Sequence, residues 1–98
     1  MQVRLSAMAR RQLAQMKDWI EDAADSETAG RFVDEIVRAA RALSDFPYRS
    51  PRPELRPGLR SVSFRRNVTI LYRVTDDTVV IVAVRYAGQD WSRLLQDR

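Results

Sequence analysis

The stretch Val68-Thr69-Ile70-Leu71-Tyr72-Arg73-Val74-Thr75-Asp76-Asp77-Thr78-Val79-Val80-Ile81-Val82-Ala83-Val84-Arg85-Tyr86 decides how this chain folds. Two runs rich in β-branched and aromatic residues flank Asp76-Asp77, a pair suited to a tight turn, and so predict two antiparallel strands. In the first run Val68, Ile70, Tyr72 and Val74 share one face, while Asn67, Thr69, Leu71 and Arg73 share the other. In the second, simple alternation puts Val80, Val82, Val84 and Tyr86 on one face and Val79, Ile81, Ala83 and Arg85 on the other. That second run is apolar on both faces over most of its length, which predicts a central strand or a face covered by another chain.

Upstream, Arg66-Asn67 is a second turn and Leu59 to Arg65 a further strand, so the three runs form an antiparallel meander. Pro47 to Gly58 holds all four prolines and reads as an ordered connecting loop. Before it lie two helical stripes. Ala9, Leu13, Met16, Ile20 and Ala23/Ala24 recur at spacings of three and four, with Ser6 as the capping residue. Trp19 sits beside this stripe and is read as a packing residue. Asp25-Ser26-Glu27-Thr28 opens a second helix, whose stripe of Ala29, Phe32/Val33, Ile36, Ala39/Ala40, Leu43 and Phe46 must stop near Pro47. Gln2 to Ser6 alternates as a short strand, and Gly88 to Leu95 reads as a turn and a short terminal helix. The prediction is an α+β fold of two layers, a single domain over residues 1–98. In it a helical hairpin packs on a mostly antiparallel sheet, in the order β-α-α-β-β-β with a short C-terminal helix.

Composition narrows the chemistry. The 98 residues contain 17 Lys+Arg and 13 Asp+Glu, a formal net charge of +4, and no cysteine or histidine. Disulfides, thiolate nucleophiles and serine-histidine or cysteine-histidine catalysis are therefore excluded, and the usual metal sites lose their main ligands. No metal and no cofactor is expected. Lys17 is the only lysine, so lysine acid–base chemistry is nearly excluded as well. The longest apolar run, Val79 to Val84, is far short of the roughly 20 residues of a membrane-spanning helix. The start of the chain lacks the apolar core of a signal peptide, and a soluble, cytoplasmic protein is expected. Up to Phe46 the chain carries 7 basic and 8 acidic residues, whereas Pro47 to Arg98 carries 10 and 5, so the positive field belongs to the second half.

The chain resembles toxins of the RelE/ParE superfamily of bacterial toxin-antitoxin systems, and more closely the ParE branch, over about residues 3 to 95. The landmarks are Leu43-Ser44-Asp45-Phe46-Pro47, then Glu54-Leu55, then Gly58-Leu59-Arg60. They continue with Ile70-Leu71-Tyr72-Arg73-Val74, the strand Val79 to Val84, and Arg85-Tyr86-Ala87-Gly88-Gln89-Asp90-Trp91. Their order and spacing, more than any one of them, carry the resemblance. It implies a small toxin neutralised by a cognate antitoxin whose extended tail wraps the helices and the sheet, in a hetero-oligomer. ParE-type members act on DNA gyrase, whereas RelE-type members cut messenger RNA on the ribosome.

The residues weigh these mechanisms differently. Metal-free ribonuclease chemistry needs a base, an acid and a stabiliser of the phosphorane charge, and arginine supplies only the last. Tyr86 with Arg60, Arg73 and Arg85 would be the reduced site of a RelE-like endonuclease; the ParE reading needs no catalytic residue. The three strand arginines either line an open groove or pair with Glu54, Asp76, Asp77 or Asp90. An antitoxin tail of acidic and apolar residues suits such a groove, with Arg60, Arg73, Ile81, Ala83 and Arg85 as its contacts. By the same resemblance Gln89, Asp90, Trp91, Ser92 and Arg93 are the expected contacts with gyrase, Trp91 being alternatively a packing anchor. A third reading, a plain nucleic-acid binder, would require affinity that falls steeply with salt. The absence of any arginine run makes direct nucleic-acid binding the least favoured of the three.

Overall fold

The computed structural model describes residues 1–47, 58–65 and 67–86. In chain order its elements are β1 (Gln2–Leu5), α1 (Ala7–Ala23), α2 (Ser26–Arg41), a 3-10 turn (Ala42–Ser44), β2 (Arg60–Phe64), β3 (Val68–Val74) and β4 (Thr78–Tyr86). The sheet order is β1-β4-β3-β2. The meander β2-β3-β4 is antiparallel, and β1 adds to β4 in parallel. This is the expected two-layer α+β arrangement, with β4 central. β3 flanks it along its length and β1 from Thr78 to Ile81.

Each helix starts where a side chain can accept from a free backbone amide. The Ser6 hydroxyl accepts from the Ala9 amide at 3.0 Å and the Asp25 carboxylate from the Thr28 amide at 2.7 Å. Glu27 in the first turn of α2 and Arg38 and Arg41 in its last turn complement the helix dipole. The α1 stripe Ala9, Leu13, Met16 and Ile20 is buried as its spacing requires. In α2 Ala29, Ile36 and Ala40 are buried, with Leu43 beyond them in the 3-10 turn. These side chains meet Val68, Ile70, Tyr72, Val79, Ile81 and Val84 of the sheet in one core. Tyr72, fully buried, donates its hydroxyl to the Pro47 carbonyl at 2.8 Å, which ties the end of the helical layer to β3.

Two expectations are corrected here. The second helical stripe does not run on to Phe46. The chain tightens to 3-10 geometry before Pro47, which rotates later residues off the stripe, and Phe46 is left 65% exposed. The strand expected over Leu59 to Arg65 ends at Phe64, and Arg65 takes left-handed backbone geometry at φ 55° in the turn.

The more consequential correction concerns β4. Tyr72 pairs with Ile81 but Leu71 pairs with Ala83, so Val82 is an extra residue, a β-bulge. Alternation reverses there. Val79, Ile81 and Val84 all join the core beneath the helices, and Tyr86 packs against it; Ala83, although buried, is not part of that core. The bulge lies just past the point where β1 ends, Leu5 being level with Ile81, and among the described residues no strand flanks that edge of β4 farther on. The start of α1 fills the gap. The Ser6 amide donates to the Ile81 carbonyl at 2.9 Å, the Ser6 hydroxyl to the Val82 carbonyl at 2.7 Å, and the Val84 amide to Oε1 of Gln12 at 2.7 Å.

Candidate functional site: an arginine-bearing sheet face

With register and bulge fixed, every strand residue has a side. The helix-covered face carries Val3, Leu5, Val62, Phe64, Val68, Ile70, Tyr72, Val74, Val79, Ile81, Val84 and Tyr86. The face away from α1 and α2 carries Arg4, Val80 and Arg73 in one cross-strand row, since Arg4 is level with Val80 and Val80 with Arg73. Ser61, Leu71 and Ala83 form the next row, and Ser63, Thr69 and Arg85 the row beyond. Arg4, Arg73 and Arg85 are exposed. No strand among the described residues contains a carboxylate; Asp76 and Asp77 lie in the β3–β4 turn and the other described acids on the helical layer. Among the described residues this face therefore carries three arginines and no carboxylate, while Ser61, Leu71 and Ala83 between them are buried.

The expected site residues divide between the two faces. Arg73 and Arg85 are brought to one face, as the groove reading requires. Arg60 is not with them: it pairs with Tyr72 on the helix-covered side, where it is half-buried. Ile81, expected beside Ala83 in an antitoxin surface, is fully buried against the helices because the bulge separates the two. Tyr86 is also on the helix side. Its ring stands 5.4 Å from Trp19 of α1 and 5.6 Å from Phe32 of α2. The set Arg60, Arg73, Arg85 and Tyr86 is thus split by the sheet. Gln89, Asp90, Trp91, Ser92 and Arg93 lie outside the described residues. The described residues hold no group of three or more His, Cys, Asp or Glu able to hold a metal ion.

Sequence reading missed Arg4, whose place beside Arg73 depends on a parallel pairing between the two ends of the chain. It missed a second feature at the β2 edge. A groove beside β2 is lined by Ala39, Ala42, Leu43, Val62, Ser63, Phe64 and Ile70, and a second hollow sharing Ala39 and Phe64 with it is bordered by Glu35, Arg38 and Arg65. At that end Arg65 pairs with Glu35 and lies over the rings of Phe32, at 5.6 Å, and Phe64, at 5.3 Å.

Residues 3–91 match the ParE toxin of the type II toxin-antitoxin system parDE, and the chain belongs to that family. Among solved structures, the chromosomal ParDE system of P. aeruginosa shares the fold with a TM-score of 0.80 at 22% identity, covering 88% of this chain and 95% of that one. The toxin-antitoxin complex RelBE2 of Mycobacterium tuberculosis is similar at 30% identity and TM-score 0.64, covering 87% and 95%. A conserved hypothetical protein of Helicobacter pylori has the fold at 10% identity and TM-score 0.52, covering 90% and 96%. No curated protein sequence matches the chain. Among the described residues no helix is long and apolar enough to cross a membrane.

Proposed function

We propose that this ParE-family toxin acts in the cytoplasm by inhibiting DNA gyrase, without catalysis of its own, and is neutralised by a cognate antitoxin. The observation that carries the reading is the match of residues 3–91 to the ParE toxin family. The geometry supports it in two ways. Tyr86, the general acid or base that a ribonuclease reading would use, packs between Trp19 and Phe32 on the side of the sheet away from Arg73 and Arg85. The arginine face and the groove beside β2, with Leu43, Val62 and Phe64 in its wall, give a wrapping antitoxin tail an electrostatic and a hydrophobic contact. Arg73 and Arg85, with Ala83 between their rows, are its contacts on the sheet, and the segment Gln89 to Arg93 meets gyrase. The second reading, a RelE-like messenger RNA endonuclease, draws support from the 30% identity to the RelBE2 chain.

Induced expression of the chain alone, then together with the adjacent small gene, tests the toxin-antitoxin half of this reading. Growth arrest relieved by the second gene is the expected result. Unimpeded growth in both cases contradicts it.

A further inference from the structure

We infer that Ser6 and Gln12 guard the edge of β4 past the end of β1, and that without this guard the edge pairs with the same edge of a second copy of the chain. The inference concerns self-association and goes beyond the toxin reading. Its starting point is which atoms hold that edge. β1 accompanies β4 from Thr78 to Ile81 and ends at Leu5. From there the partners come from the start of α1. The Ser6 amide donates to the Ile81 carbonyl at 2.9 Å, the Ser6 hydroxyl to the Val82 carbonyl at 2.7 Å, and the Val84 amide to Oε1 of Gln12 at 2.7 Å.

Two carbonyls and an amide along the margin of a strand are the groups that an added strand would bond. Here two of the three are held by side chains, which occupy them without offering a further row of backbone groups. The segment needs such cover. Val79 to Val84 is a run of β-branched and small apolar residues with no charge, proline or glycine, a composition that pairs edge to edge wherever an edge is open. The bulge at Val82 breaks the spacing of the ladder and adds a second obstacle to pairing.

The second copy follows from self-complementarity. An antiparallel pairing of two such edges about a twofold axis at Ala83 sets the Val84 amide of each copy opposite the Val82 carbonyl of the other. Those are the two groups that Gln12 and Ser6 hold in the single chain. Gln12 is the cleaner probe of the guard, because the Ser6 hydroxyl also accepts from the Ala9 amide at 3.0 Å and its loss would disturb the helix cap as well.

Sedimentation velocity of the full chain over a range of concentrations, with amide exchange on the same samples, is the test. In dilute Gln12→Leu the Val84 amide should exchange about tenfold faster than in the native protein, beyond any change in the core amides, as expected for loss of one hydrogen bond. With rising concentration this variant should associate more strongly than the native protein, and the Val84 amide should regain protection as the second copy supplies its acceptor. Gln12→Glu keeps an acceptor and should behave as the native protein. Ile36→Val loosens the core at a residue 1% exposed while leaving the edge intact, and should also sediment as the native protein. Should Gln12→Leu not fold, Gln12→Met, flexible and without a strong acceptor, takes its place. Native sedimentation by the folded variant overturns the inference. So does association that leaves the Val84 amide exchanging fast, or that Ile36→Val reproduces. Neither gyrase nor an antitoxin enters the experiment, so its failure and that of the toxin reading are separate results.

Discussion

The ring of Tyr86 stands edge-on to that of Trp19, with centroids 5.4 Å apart and planes at 70°, joining the last described residue of the sheet to the outer side of α1. Trp19 is 38% exposed, so its value lies in this contact more than in full burial. Trp19→Ala should lower stability by about 1 to 2 kcal/mol in denaturant titrations, less than the roughly 3 to 5 kcal/mol of a fully buried ring. A loss within 0.3 kcal/mol, about the error of such titrations, would mean that the stack carries no weight.

Tyr86→Phe keeps the ring and removes the hydroxyl. Stability should change by about 0.5 kcal/mol or less, and growth arrest should be retained, because the proposed mechanism gives that hydroxyl no proton to move. Loss of arrest with a normally folded protein would shift the account to ribonuclease chemistry.

At the β2–β3 turn two effects of Arg65 oppose each other. Its left-handed backbone costs a non-glycine residue about 1 kcal/mol, whereas its side chain holds Glu35 and covers Phe32 and Phe64. The ion pair is solvent-exposed and contributes at most about 1 kcal/mol. Arg65→Gly should therefore be more stable than Arg65→Ala by about 0.5 to 1 kcal/mol in thermal unfolding, since both lose the side chain and only glycine relaxes the backbone. Equal stabilities would show that the turn is unstrained.

The pH dependence has a definite sign at the start of α2. The Thr28 amide beside Asp25 holds its carboxyl below the usual aspartate range, with the Thr28 side chain adding to the effect. A depressed folded-state value stabilises the fold above the ordinary aspartate range, and the contribution is lost as pH falls through the depressed value. Asp25→Asn preserves a cap but cannot titrate, so the stability difference between it and the native protein should narrow on acidification. A difference that stays constant from neutrality to strong acid would contradict the assignment.

Most of the architecture was legible because it rests on local periodicity. The stripe Ala9, Leu13, Met16, Ile20 and the alternation Val68, Ile70, Tyr72, Val74 each name the buried face of one element with no knowledge of the others. The site was less legible because sides on β4 depend on one residue of register. Alternation placed Ile81 with Arg85; the bulge at Val82 separates them, and the groups that satisfy it, Ser6 and Gln12, lie at the other end of the chain. A β4 run of 9 residues against the 7 of β3 is the trace this left in the sequence. Arg60 was grouped with Arg73 by residue type, but their sides follow from the β2–β3 pairing, which sequence alone left open. Arg4 escaped notice for a similar reason, because its row forms only when β1 adds in parallel to β4.

The central claim, that this ParE-family toxin poisons gyrase and not messenger RNA, is tested most directly by incubating the purified protein with gyrase and supercoiled plasmid, with and without the product of the adjacent gene. The account predicts that cleaved plasmid accumulates with the protein alone and disappears when the antitoxin is added. Intact plasmid and unimpaired supercoiling, together with cleaved messages in arrested cells, would contradict it.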